Sequence, residues 1–161
     1  MTIFALSSGS GIAGIAIIRI SGPLTVSIVK NITGKEIPKP RVATLRKINN
    51  INTSELIDEG IILWFPGPQS YTGEDMAEIH VHGGKSVIQE VINSISSIKD
   101  CRLADPGEFT KLAFQNGKIN LLKAESIGDL ISAETEIQRS QATKIMKGNS
   151  ANKFNQLREK L

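Results

Sequence analysis

The feature that most constrains this chain is a change of period at residues 106–126, PGEFTKLAFQNGKINLLKAES. Before it, short β-branched runs alternate with amphipathic stretches a few turns long; after it, apolar residues recur only at helical spacing. Such a chain is expected to fold as a mixed α/β (α+β) domain followed by an all-α segment, with this stretch as the seam. Asp105 is placed as a helix N-cap, Pro106 as the first helical residue and Glu108 as the acidic partner three positions after the cap. Phe109, Leu112, Ala113 and Phe114 supply an apolar face. Asn116-Gly117 stops the helix, because glycine accepts the left-handed backbone that helix ends need. Lys118 follows on the turn, and a second helical pattern begins near Asn120.

Upstream, residues 3–6 and 15–20 read as strands separated by a Ser/Gly loop, and Ser21-Gly22-Pro23 opens a helix carrying Leu24, Ile28 and Ile32 that Gly34 closes. Residues 42–48 and 57–65 read as paired strands around a polar loop, ended by Pro66-Gly67-Pro68. Strict alternation from Ala77 to His82 marks a strand with Glu78, His80 and His82 on one face and Ala77, Ile79 and Val81 on the other. Gly83-Gly84 leads into a helix over 85–98, and residues 101–104 form a short strand. From 120 to 161 the pattern is helical nearly throughout. Ala124, Ile127, Leu130, Ile131 and Ile137 form a stripe; Phe154, Leu157 and Leu161 continue one later, past a break at Gly148-Asn149-Ser150. No later helix in the chain pairs with this stripe, and a lone amphipathic helix is marginal. The chain is therefore expected to be truncated within a helical domain, the stripe being covered by the rest of a longer protein or by a second copy.

Composition excludes more than it selects. Of 161 residues 19 are Lys or Arg and 16 Asp or Glu; from Glu134 onward the balance is six basic to three acidic, which leaves the α/β part neutral. Nothing there points to nucleic acid. The single cysteine, Cys101, excludes an internal disulfide, and its apolar neighbours suit a small buried hydrophobe better than a nucleophile. No apolar run is long enough to span a bilayer and the first residues lack a signal-peptide pattern, so the expected setting is cytoplasmic, without a membrane partner. The phosphate-binding pattern GxxxxGK[ST] is absent, so this chain by itself is not a P-loop hydrolase. Gly9-x-Gly11-x-x-Gly14 precedes a strand instead of joining strand to helix, the wrong context for a dinucleotide.

Three positions invite chemistry. Arg19 interrupts a β-branched strand; it is either an edge-strand arginine facing water or the partner of a carboxylate or ligand anion. Glu78-x-His80-x-His82 is a partly solvated polar face, a set of metal ligands, or, through Glu78, an acceptor for the paired N–H donors of a pterin or guanine edge. Lys118 is solvated surface or the anchor of an anionic ligand tail.

Four blocks resemble the N-terminal region of the bacterial tRNA-modification GTPases of the MnmE family, also called TrmE. They are residues 14–22, GIAIIRISG; 63–68, LWFPGP, with 71–75, YTGED; 80–84, HVHGG; and PGEFT at 106–110 running through AFQNGK at 113–118 to Ala124-Glu125. The resemblance implies a folate-binding and dimerisation domain over 1–118, similar to that of the glycine-cleavage aminomethyltransferase. It implies the first helices of a truncated helical domain over 119–161, with the GTPase domain, and with it GTP, Mg and K, absent. Members of the family dimerise through this domain. With the flavoprotein GidA, also called MnmG, they install an aminomethyl-type group on the wobble uridine of tRNA, drawing the one-carbon unit from a tetrahydrofolate derivative. The positions the family associates with 5-formyltetrahydrofolate fall on Arg19, Glu78 and Lys118. Chemistry suggests Glu78 for the pterin edge and the cations for carboxylates or carbonyls. The opening loop lacks the family's A-T-P-x-G-x-G run, and Leu112 and Asn120 replace an arginine and an aspartate, whose contacts are expected to be lost. Two other classes of function fit the residues: a free-standing one-carbon transferase using Asp75, His80 or His82 as acid or base, and a structural dimerisation domain without a ligand.

Overall fold

The computed structural model describes residues 1–148. The expected stripe residues Phe154, Leu157 and Leu161, and the expected break at Asn149-Ser150, lie outside the described residues. Six strands form one mixed sheet. β1 (Thr2–Leu6) and β2 (Ala13–Ser21) pair antiparallel, and the glycine-rich segment between them is a hairpin loop. β3 (Thr44–Asn49), β4 (Leu56–Phe65) and β5 (Met76–Gly83) form an antiparallel meander. β5 pairs with β2, and β6 (Cys101–Leu103) runs parallel to β1. The order β3-β4-β5-β2-β1-β6 places β2 inside the sheet, so Arg19 is not on an edge strand. An interior strand has a neighbour on each side, and Arg19 meets Ala5 on one and Glu78 on the other.

Helices α1 (Thr25–Thr33) and α2 (Lys85–Ser96) share one core with the sheet. Phe4, Ile18, Ile20, Ile62, Ala77 and Ile79 pack there with Ile28, Val29, Ile32, Val91 and Ile95, all fully buried. At ~1.5–3 kcal/mol for each large apolar side chain removed from water, this layer dominates the domain's stability. Alternation then sends Ala5, Ile17, Arg19, Ile61, Leu63, Glu78 and His80 to the opposite face.

The chain divides into two compact units, Met1–Phe109 and Thr110 onward. The division falls inside α3 (Glu108–Gln115). Pro106 is not the first helical residue. Gly107 has φ +75°, and the Glu108 N–H reaches the Asp105 carbonyl at 3.0 Å, so 105–108 is a β-turn with Pro second and Gly third. The expected reach of Glu108 back to the Asp105 N–H is present, at 2.7 Å. α3 ends in a Schellman motif: Lys118 N–H bonds the Ala113 carbonyl at 2.8 Å, Gly117 N–H bonds that of Phe114 at 3.0 Å, and Gly117 has φ +68°.

The second unit is not one continuous helical run. α4 (Leu121–Ser132) and α5 (Glu136–Met146) are separate helices packed on each other. Thr135 and Gln138 form a capping box that restarts the chain as α5. α5 packs against α4 with Ala142 buried, while the stripe residues Ile131 and Ile137 stay exposed.

Candidate functional site

Two rows of side chains cross the face of the sheet that α1 and α2 leave open. Leu63, Glu78, Arg19 and Ala5 stand in register across β4, β5, β2 and β1. Beside them run Leu45, Ile61, His80 and Ile17, across β3, β4, β5 and β2. Strand pairing thus brings Arg19 against Glu78, although 59 residues separate them in sequence. Arg19 Nε and Nη2 both donate to Glu78 Oε1, at 3.1 and 2.7 Å, and His80 Nε2 lies 3.2 Å from Glu78 Oε2. The Glu78 side chain is 14% exposed and that of Arg19 27%, so water screens this pair far less than a surface ion pair. Burial pushes the Glu78 carboxyl upward, but the hydrogen bonds and charge of Arg19 and His80 outweigh it and hold the group below the ordinary glutamate value.

Two aromatic rings flank the guanidinium. Arg19 Cζ lies 5.6 Å from the Tyr71 ring centre and 5.5 Å from that of Phe109, within cation–π range. Tyr71 is delivered by a loop fastened to the end of β2. Asp75 accepts the Gly67 N–H at its carboxylate (2.9 Å), and its carbonyl accepts the Gly22 N–H (2.9 Å) and the Thr25 hydroxyl (3.0 Å). The Ser21 hydroxyl lies 2.8 Å from that of Thr72 and donates to Glu74 Oε2 at 3.0 Å. Phe109 is delivered by the 105–108 turn, which Arg102 braces by donating to Glu108 at 2.9 Å. Sequence reasoning missed Tyr71 and Phe109 as site residues. Their signal lay only in the conspicuous Tyr-Thr-Gly-Glu-Asp block and in Phe109's place beside a helix start, and a ring–cation contact depends on tertiary packing.

His82 is tied elsewhere. Its Nδ1 lies 2.9 Å from Asp58 Oδ1, and its backbone N–H donates to Asp58 Oδ2 at 2.8 Å. Burial raises the Asp58 carboxyl, yet the His82 amide and ring, with the Glu59 amide, bring it below the usual aspartate value. Glu78, His80 and His82 therefore do not converge. Among the described residues no three of His, Cys, Asp and Glu are grouped to hold a metal. Of the acid–base candidates, Asp75 serves the loop, His80 faces Glu78 and His82 faces Asp58. Ile15, Leu45, Ile61, His80 and His82 border an open hollow of about 220 Å³ beside the Arg19 row. Cys101 is half-buried, and its burial and the neighbouring Asp100 push the thiol above its usual range, as suits a packing residue.

Lys118 belongs to the second unit, exposed, directly after the Schellman turn. Arg19 and Glu78 are in contact within the first unit. Replacement of the family's aspartate by Asn120 does not forfeit every contact at that position: Asn120 Oδ1 accepts the Lys123 N–H at 2.8 Å and caps α4. Among the described residues no helix is long and apolar enough to cross a membrane.

Fold and site together define an α/β module whose helices cover one sheet face and whose polar chemistry sits on the other. The family described as "GTP-binding protein TrmE N-terminus" matches residues 2–118. The chain belongs to that family. It is 75% identical over its whole length to the tRNA modification GTPase MnmE of Pelagibacter ubique, covering 36% of that protein. It is 47% identical over 160 residues to the MnmE of Brucella canis, covering 99% of this chain and 36% of the relative. Over 148 residues, 91% of the chain, it is 49% identical to a human mitochondrial 5-taurinomethyluridine-[tRNA] synthase subunit, of which it covers 30%. The chain thus spans about a third of the length of the curated relatives it matches.

Proposed function

We propose that this chain is the folate-binding and dimerisation module of a tRNA-modification GTPase, with a fold like the folate domain of the glycine-cleavage aminomethyltransferase. The observation that carries the reading is the Arg19–Glu78 pair, set in register on the open sheet face and flanked by two rings. Its donor set fits a folate. Beside the Tyr71 and Phe109 rings, the guanidinium offers N–H groups to carboxylate or carbonyl oxygens, and Lys118 is a second cation suited to an anionic tail. A bound tetrahydrofolate derivative such as 5-formyltetrahydrofolate supplies the one-carbon unit; the residues here bind and orient it. The open face also carries exposed Ile15, Leu45 and Ile61, apolar area that a second copy would bury in a homodimer. GTP, Mg and K belong to the GTPase domain of the full-length relatives. The flavoprotein GidA/MnmG and tRNA are partners of that whole assembly, which we place in a reducing compartment such as the bacterial cytoplasm.

Calorimetric titration with 5-formyltetrahydrofolate tests the reading. Binding should be saturable, and Glu78→Ala and Lys118→Ala should each weaken it by ~1–3 kcal/mol, the usual scale for a lost charge-assisted hydrogen bond. Dimeric wild-type protein that gives no heat would remove the folate assignment and leave dimerisation as the module's role.

A further inference from the structure

We propose that the margin of the sheet formed by the connector after α1 and by edge strand β3, with Lys35, Lys39, Arg41, Arg46 and Lys47, binds the phosphate backbone of RNA. The proposal takes its polyanion from the tRNA-modification reading above and its place from the distribution of charge. The neutrality of the α/β part conceals a segregation. Residues 30–47 hold six of the 13 basic side chains that precede Glu134 and one of the 13 acidic ones, which leaves seven basic against twelve acidic elsewhere. That one acid, Glu36, is already paired with Lys30 at 2.6 Å. Lys35, Lys39, Arg41 and Lys47 are exposed, and among the described residues none of the four is in an ion pair, although Glu59 stands opposite Lys47 across the β3–β4 pair. The connector is held in place: Pro38 is buried, Ile37 packs against the core, and the Arg41 N–H donates to the Trp64 carbonyl at 2.8 Å. β3 has no strand neighbour on its outer side. Charges on such an edge can serve only to prevent edge-to-edge pairing, which accounts for Arg46 and Lys47. It does not account for Lys35, Lys39 and Arg41, which precede the strand. Alternation turns Arg46 to the side of Ile48 and the core, away from the face that carries Arg19 and Glu78. A bilayer surface would call for an amphipathic helix with apolar side chains beside the charges, whereas Val42 is the one large apolar residue exposed on this connector. A row of cations along an extended edge suits a strand of phosphates.

Fluorescence anisotropy of a labelled, unmodified tRNA transcript titrated with the 161-residue chain tests the surface. Log affinity should fall linearly with log salt, each neutralised phosphate contributing roughly 0.7–0.9 to the slope. Lys35→Gln, Lys39→Gln and Arg46→Gln together should weaken binding about tenfold or more at low salt and reduce that slope by about two. The double variant Lys35→Gln with Lys39→Gln, both on the exposed connector, should show the same change in lesser degree and guards against a packing loss at Arg46. Lys85→Gln, Lys99→Gln and Lys144→Gln together remove the same charge from elsewhere and should stay within about twofold of wild type. Equal weakening by both triple variants, or a wild-type chain that binds no tRNA, overturns the proposal. So does a chain that sediments with phosphatidylserine vesicles but leaves tRNA free. Titration of the margin variants with 5-formyltetrahydrofolate keeps the two readings distinguishable, since their folate affinity should match wild type. Binding of tRNA without folate removes only the folate site, whereas binding of folate without tRNA removes only this surface.

Discussion

Gly60 sets the strand spacing beside the site. A Cβ there would lie 2.2 Å from the His80 carbonyl oxygen, a backbone atom of the paired strand that cannot swing away. Gly60→Ala must part β4 from β5 and carry His80 with it. We expect a loss of ~1–3 kcal/mol, the usual cost of overpacking, read as a lower urea midpoint. Glu78 gives a pH signature. Its folded-state pKa is depressed below 4.5, so its contribution is present above that value and is lost as pH falls through the folded value. Stability should therefore decline with acid below about pH 4.5, and Glu78→Gln should flatten that decline in pH-dependent urea melts. At this scale the sequence exposed Arg19 as a charge in an apolar strand, and alternation exposed Glu78 and His80. It concealed Tyr71, because only the anchoring of the 66–75 loop by Ser21, Gly22 and Thr25 turns that ring towards the guanidinium.

The strands and most helix ends were legible because short-range rules govern them: alternation for β5, Gly34 for the end of α1, Asn116-Gly117 for the end of α3. Two ends were misread for physical reasons. Pro-Gly after Asp105 satisfies a capping pattern and a β-turn alike, and the positive φ of Gly107 selects the turn. The break before α5 carries no Gly or Pro; its signal was the Thr135-x-x-Gln138 box. Cap chemistry makes a prediction for α4. Asn120→Ala should cost ~1 kcal/mol and reduce helical circular dichroism, whereas Asn120→Asp, an equally good cap, should leave both unchanged. Equal losses from both substitutions would show that Asn120 acts through something other than its capping oxygen.

For the molecule as a whole, covering one sheet face leaves the other to function. That face joins charged residues to exposed apolar ones, with Leu45 60% and Ile15 63% exposed, more than a soluble domain gains by leaving in water. Sedimentation equilibrium should find a dimer. Leu45→Glu with Ile15→Asp should give a folded monomer, since neither side chain supports the core and a charge within an interface is costly. What the sequence could not convey at this scale is which residues share the open face, because that depends on the β2–β5 and β4–β5 registers, and a one-residue slip would turn Arg19 and Glu78 to the core side. The central claim, a folate site on the open sheet face served by Arg19 and Glu78, is tested most directly by titrating ¹⁵N-labelled protein with 5-formyltetrahydrofolate and following backbone amide shifts. The account predicts saturable shifts at Arg19 and Glu78 that fit a single dissociation constant. Shifts absent from β2 and β5, or shifts there that do not saturate, would contradict it.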